Sequence, residues 1–390
     1  MIDVDKLRAE TPGADNAVHL NNAGSSLMPR PVIDTIQDYF DHEVMHGGYE
    51  TFGTYENDIN EVYGSIASLV NASPEEIAIA DCATRGWDMA LYSMDLSDGD
   101  RILTTTTEYI SNWAAYLHLR DSKGVVVEVV PDTPSDEIDV EALEQMLDET
   151  VKLISINHVP THSGLINPAA DVGRVANEYG IPYLLDACQS VGQLPIDVRE
   201  IGCDMMSVTS RKFLRGPRGE GFLYVREEYI EELSPAFVEL HNTTVVLPDR
   251  YELRTDARRF ETWEKNFANV LGMGAAADYA MEVGVADIWE RIQLLASAAR
   301  DALGSMEGVE VLDRGVVLGG IVGFAVDGRP AQLMKELLGE RGIHVSISTK
   351  TSSPIDMHNR DIDSLVRASF HAYNTEEELE DLLEAVHVLS

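Results

Sequence analysis

Cysteine is scarce in this chain: Cys82, Cys188 and Cys203 are its only three, with no C-x-x-C spacing. An odd, scattered set of this kind excludes a disulfide framework and a thiolate zinc site. Basic residues are scarce as well. Lysine and arginine total 29 against 67 acidic residues, leaving a formal net charge of -38, and only seven of the cations are lysines. A field of that sign repels phosphate backbones and anionic lipid, so neither nucleic acid nor a membrane surface is an expected partner. The same acidity suits solubility in strong salt and raises the expectation of a halophilic source. No apolar run approaches the roughly 18 residues of a membrane span. The opening MIDVDKLRAE has no basic region followed by an apolar one, and a cytoplasmic protein is expected.

What is present is ordinary globular material, 44% hydrophobic and 25% charged over 390 residues, long enough for two domains. From about residue 76, β-rich runs (EIAIA, RILTTTT, VVVEVV, KLISINHV, IPYLLD) alternate with helical patterns that start at Thr84, run through Trp113, and recur near 139–149 and 169–179. This rhythm predicts βαβ units and a covered, largely parallel sheet, with ligands beyond the carboxyl ends of its strands. After about residue 284 the pattern changes. The amphipathic ADIWERIQLLASAARDALGSM leads into VEVLD, GGIVGFAV, a helix at 330–341, IHVSI, LVRASF and a final helix EEELEDLLEAVHVL. We therefore expect a large domain over 17–284 and a smaller α/β domain from 1–16 plus 285–390.

Among the seven lysines, Lys212 stands apart. It follows the apolar run DMMSVTS and precedes the glycine-rich turn FLRGPRGEG, the kind of strand-end bend that can hold an amine inside a pocket. An ordinary solvated turn lysine would read the same way. Asp186 ends the apolar strand IPYLLD, where an acid needs a cationic partner, a ligand or a helix to cap. EIAIADCATRGWDMAL runs from a strand into a helix through Ala83 and Thr84, offering backbone N–H groups and a hydroxyl to a phosphate. Capping of that helix by Thr84 is the simpler alternative.

Taken in order, HLNNAG, CATRGWDMAL, EYISNWAAY, SINHVPTHSGLINP, LLDACQSVGQLPIDV, SRKFLRGPRGEGFLYV, RRFETWE and VRASFHAYNTEEELE make a chain that resembles the class V aminotransferase-fold enzymes dependent on pyridoxal 5′-phosphate. That group includes cysteine desulfurases, selenocysteine lyases and isopenicillin N epimerase-like proteins. The resemblance implies fold type I, as in aspartate aminotransferase, and a homodimer with active sites at the interface. It also implies roles. Lys212 would carry the cofactor as a Schiff base and move protons at the substrate α-carbon. Asp186 would keep the ring nitrogen protonated, and Gln189 would donate to the ring's phenolic oxygen. Ala83, Thr84 and Thr209 would bind the phosphate, joined by Arg211 where the desulfurases have histidine. Tyr109 would stack on the ring in place of another histidine. Arg367 would clamp the substrate carboxylate as a planar fork. Asn22 and Ala23 would lie near the substrate, and FETWE at 260–264 would reach a neighbouring subunit's site.

Two departures bear on the reaction. Desulfurases of this group carry a nucleophilic cysteine before the final strand, whereas residues 343–363 contain none; Pro160 and Thr161 stand where those enzymes have asparagine after H-V. The expected reaction is therefore a C-S lyase or related β-elimination on a cysteine-like amino acid, with Lys212 as base. A class V aminotransferase or an amino-acid epimerase needs the same cofactor residues and stays open. A rival from another class is HEVMH, residues 42–46, which spells the H-E-x-x-H helix of zinc peptidases, but Tyr49 interrupts the extended form of that motif.

Overall fold

The computed structural model describes residues 2–390. A short strand, β1 (Val18–His19), precedes two long helices, Arg30–His46 and Gly48–Val70. The large sheet then assembles from β2 (Ile77–Ala80), β3 (Arg101–Thr104), β4 (Val126–Val129), β5 (Val151–Asn157), β6 (Tyr183–Asp186), β7 (Met205–Thr209) and β8 (Gly221–Val225). Its spatial order is β2-β8-β7-β6-β5-β3-β4. Neighbours run parallel except at β8, which is antiparallel to both β2 and β7.

The central strands are buried on both faces, which is why YLLD and MMSVT read as continuous apolar runs instead of alternating ones. Successive residues serve opposite layers. Ile154, Leu185 and Met206 pack into one hydrophobic cluster, and Leu153, Leu184 and Met205 into another on the far side of the sheet. The helix Phe267–Val283 packs on both early helices and completes the first layer.

An exposed hairpin, β9 (Thr243–Leu247) and β10 (Arg250–Leu253), comes before the long helix Val285–Gly304. A second sheet follows, from β11 (Val309–Val311), β12 (Ile321–Val326), β14 (Ser346–Thr349) and β15 (Ser364–Ser369), with the two-residue β13 (Ile343–His344) outside it. It is antiparallel throughout, in the order β11-β12-β15-β14, over a separate core that includes Phe324, Val366 and Leu382. The N-terminal segment ties the two bodies together. Leu7 packs in the large core while β1 pairs with β13, and Arg8 donates to Glu378 of the final helix at 2.8 Å.

The α/β architecture is the expected one, with adjustments. The helix expected near 139–149 is only Val140–Gln145, capped by Asp139, and IHVSI is split into β13 and β14. Among the described residues, no helix is long and apolar enough to cross a membrane.

Candidate active site

A cavity of about 230 Å³ opens where β5, β6 and β7 end, at Asn157, Asp186 and Thr209. It brings together eight of the residues singled out from the sequence: Lys212, Asp186, Gln189, Thr209, Arg211, Tyr109, Ala83 and Thr84. Carboxyl ends of adjacent parallel strands are where such sheets bind ligands, because the flanking loops diverge there.

Asp186 sits in the middle of the sheet, level with Asn157 on β5 and Ser207 on β7. Its carboxylate is held from two sides. The Cys188 backbone N–H donates to Oδ1 at 2.9 Å, and Asn112 Nδ2 donates to Oδ2 at 3.1 Å. Asp186 is therefore no simple helix cap.

The helix Ala83–Tyr92 starts at the cavity wall, one residue earlier than the sequence pattern suggests. Its N-cap is Cys82, which makes no side-chain capping bond, so Thr84 lies inside the first turn and does not cap it. The first N–H groups of this helix remain open to an anion. Gly221 permits the close approach: a Cβ there would press on the Ala83 amide nitrogen at 3.0 Å.

Lys212 lies in the bend between β7 and β8, which is pinned by Ser210 N–H to Glu220 O at 3.1 Å and Gly216 N–H to Ser210 O at 2.8 Å. The bend also rests on Gly192, at φ 92°, where any Cβ would collide with the Phe213 and Leu214 backbone. That contact accounts for the last residue of the D-A-C-Q-S-V-G run. Burial lowers the Lys212 ammonium's pKa, as do the charges of Arg211 and Arg367, against the opposing pull of Asp186. Among the described residues Nζ has no hydrogen-bond or ion-pair partner. An amine in that setting is readied for attack on a carbonyl carbon.

Three residues do not line this cavity. Arg367, on β15, donates through one terminal nitrogen to Thr161 O at 2.6 Å and Thr161 Oγ1 at 3.1 Å, and Thr161 lines the wall. Burial brings its guanidinium down to about 10. Asn22 is fully buried and spends its amide on Ser369 O at 2.7 Å, while Ala23 O accepts from Gln189 Nε2 at 3.1 Å. These two tie the N-terminal segment to β15 and to Gln189. Arg211 is anchored to Gly24 O.

Sequence reading passed over Asn157 and the exposed Arg218, both on the cavity wall, where Thr161, noted as a departure after H-V, also lies. Asn157 ends KLISIN as Asp186 ends IPYLLD, and that parallel was the available signal. Its amide is fixed by Thr105 and Thr107 at 2.9 and 3.0 Å.

The segment at 260–264 lines a larger groove of about 910 Å³, with Tyr49, Phe52 and Phe267, which shares Asp81 and Gly219 with the smaller cavity. The HEVMH histidines pack against each other with ring centroids 4.2 Å apart and planes tilted by 39°, and His42 Nδ1 meets Thr51 Oγ1 at 2.9 Å. No group of three His, Cys, Asp or Glu side chains able to hold a metal ion occurs among the described residues, so the pair lacks the third ligand of a zinc peptidase.

The donor set fits pyridoxal phosphate. Asp186 could hold a cationic ring nitrogen, Lys212 an aldehyde carbon, and the uncapped helix start with Thr84, Thr209 and Arg211 a phosphate. Gln189 Oε1 and Arg367 Nε are buried without partners among the described residues, leaving polar capacity for a ligand on either side.

The chain matches the Aminotransferase class-V family over residues 18–382. It is 28% identical to the probable cysteine desulfurase of Methanothermobacter thermautotrophicus, over 99% of this chain and 98% of that one. The apo cysteine desulfurase of Thermococcus onnurineus NA1 superposes with a TM-score of 0.93 at 25% identity, covering 100% of this chain and 98% of the other. A cystine C-S lyase in complex with cysteine persulfide shares the fold, with a TM-score of 0.87 at 23% identity over 97% of this chain and 99% of that one. The chain belongs to the class V aminotransferase family and is a pyridoxal-phosphate-dependent enzyme.

Proposed function

We propose that the enzyme is a C-S lyase that eliminates the sulfur group of a cysteine-like amino acid without parking it on a protein cysteine. The observation that carries this reading is the segment before β15. It holds no thiol, and it is occupied by the short helix Asp356–Asn359, whose Asp356 pairs with buried His162 at 2.6 Å and accepts from Arg360 at 3.5 Å. The similarity to cysteine desulfurases supports a cysteine-like substrate.

Bound through Lys212, with Asp186, Gln189, Thr84, Thr209 and Arg211 around it, pyridoxal phosphate supplies an electron sink for the carbanion left at the α-carbon. Every other part falls to the chain. Arg367, coming from the smaller domain over 1–16 and 285–390, binds the substrate carboxylate and orients the α C–H bond. Lys212 Nζ, once free, would remove the α-proton. The electron pair left on Cα would form the Cα=Cβ bond as the Cβ–S bond breaks; sulfur would leave with that bond's pair as a thiolate, take the proton held by Lys212 Nζ, and water would hydrolyse the remaining enamine to pyruvate and ammonium. Tyr109, on the cavity wall, would pack beside the ring. Cys188 takes no part as a nucleophile, since burial and the neighbouring Asp186 push its thiol pKa well above the usual value.

The working unit is a cytoplasmic homodimer. Exposed apolar residues Phe237, Leu240, Val245, Leu247 and Tyr251 cluster on and before the hairpin, and the groove beside 260–264 opens next to the cavity. Light scattering should give twice the monomer mass; a monomer would contradict this assignment. For the reaction, cysteine, cystine and cysteine S-conjugates should each be tried without a keto acid. Pyruvate and ammonium released together support the lyase. Turnover only with an added keto acid, or inversion at the α-carbon without pyruvate, would replace it with transamination or epimerisation.

A further inference from the structure

Behind Asp186 stands a second buried acid that the chemistry above does not use. Glu108 follows β3, is 1% exposed, and has no cationic partner among the described residues. Its carboxylate is instead surrounded by neutral donors. Tyr109 N–H and Asn112 Nδ2 reach Oε1 at 2.7 and 3.0 Å, and Thr104 Oγ1 and Tyr116 OH reach Oε2 at 2.8 and 3.3 Å. The same Asn112 nitrogen donates to Asp186 Oδ2 at 3.1 Å. Its two amide protons thus go one to each carboxylate, so a single NH₂ group bridges the acids.

Four donors converging on a buried carboxyl favour its ionised form, yet a buried carboxylate with no cation nearby is costly. The position for that cation is on the cavity side of Asp186, where the assignment above would put the cofactor's ring nitrogen. Two carboxylates in line behind one protonated nitrogen hold its proton more firmly than one does. We propose that Glu108 is a positioning residue for the cofactor: it fixes Asn112, Asn112 fixes Asp186, and the charge of Glu108 strengthens the hold of Asp186 on the protonated ring nitrogen.

Burial, and then the charge of Asp186, push the Glu108 carboxyl up to about 7, which agrees with an acid whose ionisation leans on a neighbouring cation. The remaining titratable neighbour is Tyr116, which burial and Glu108 keep neutral. The inference rests on the assignment of Asp186 to the ring nitrogen, and its test separates the two.

The experiment compares Glu108→Gln, Asn112→Ser and Asp186→Asn with wild type. It measures pyridoxal phosphate dissociation from the holoenzyme and the pH titration of the bound cofactor's visible absorbance band. Glu108→Gln and Asn112→Ser should each weaken cofactor binding about tenfold and shift the band's titration to lower pH by about one unit. Glu108→Asp, which keeps the charge, should restore most of the shift; a purely space-filling role would favour the isosteric glutamine instead. An Asp186→Asn defect beside an unchanged band and affinity in Glu108→Gln overturns the proposal alone. A wild-type Asp186→Asn overturns both it and the cofactor assignment. Should Glu108→Gln fail to fold, Asn112→Ser carries the same test, and an unchanged band there overturns the proposal.

Discussion

The end of the cavity proposed to hold the cofactor is made from the ends of three adjacent strands and the start of one helix, each carrying its candidate residue in a short local run. The end proposed for substrate is bounded by Thr161, which is positioned only in the folded chain: Arg367 on β15 holds it from 206 residues away, and the next residue, His162, is held by Asp356, 194 residues away. The first end is set by the register of a rigid sheet. The second depends on how the two bodies are latched, so changes there should alter which substrate is accepted more than whether the cofactor binds.

The largest effect expected falls at the cofactor end. Lys212→Ala should cut turnover by on the order of 10³-fold or more and abolish the visible absorbance band, measured by spectroscopy and pyruvate release. At the substrate end, Arg367→Ala should leave cofactor affinity intact while raising KM about 30-fold, the loss of roughly 2 kcal/mol of charged hydrogen bonding. Equal damage to cofactor affinity would break the contrast between the two ends.

Asp356→Asn should be milder for catalysis, with a stability loss of about 2 kcal/mol from a buried pair missing one charge. Faster proteolysis confined to residues 350–363 would locate that loss. The sign of its pH dependence follows from Asp356 itself. Burial pushes its carboxyl upward, but the His162 hydrogen bond and the charges of His162 and Arg360 outweigh that and hold it below its ordinary value. Its contribution is therefore present above the unfolded value of about 3.9 and is lost as pH falls through the lower folded one. Melting curves of wild type and variant should converge in acid. The smallest change belongs to Cys82→Ser, within about 0.5 kcal/mol in stability and about twofold in rate, because no persulfide is held there. A collapse of sulfur release in that variant would return the enzyme to a cysteine nucleophile.

The same contrast explains what could be read from the chain beforehand. Asp186, Lys212 and the helix start at Ala83 each lie at a change of periodicity, where an apolar strand gives way to a turn, and such changes are local. Glu108 and Asn112 escaped notice although E-Y-I-S-N spaces them one helical turn apart. Nothing in that run says that Asp186 lies beyond it. Asn22 looked like a substrate contact from its place in HLNNAG, yet its amide is consumed by Ser369 and Tyr373, partners more than 340 residues away. The His162–Asp356 latch had no local signature at all. The short extent of Val140–Gln145 was hidden because an amphipathic pattern continues beyond the point where the chain turns toward β5.

One reversal of direction shapes the whole site. Because β8 runs antiparallel to β7, with Thr209 opposite Gly221, the chain returns at once through residues 210–220. A parallel β8 would have required a crossover of a dozen or more residues and carried Lys212 away on a long connection. The Lys212 amine is instead mounted on a hairpin bend closed at its base by the sheet itself. With residues 210 and 220 tied to each other and 216 tied back to 210, the move proposed for this amine, from the cofactor to the substrate's α-carbon, would fall to rotation of its own side chain.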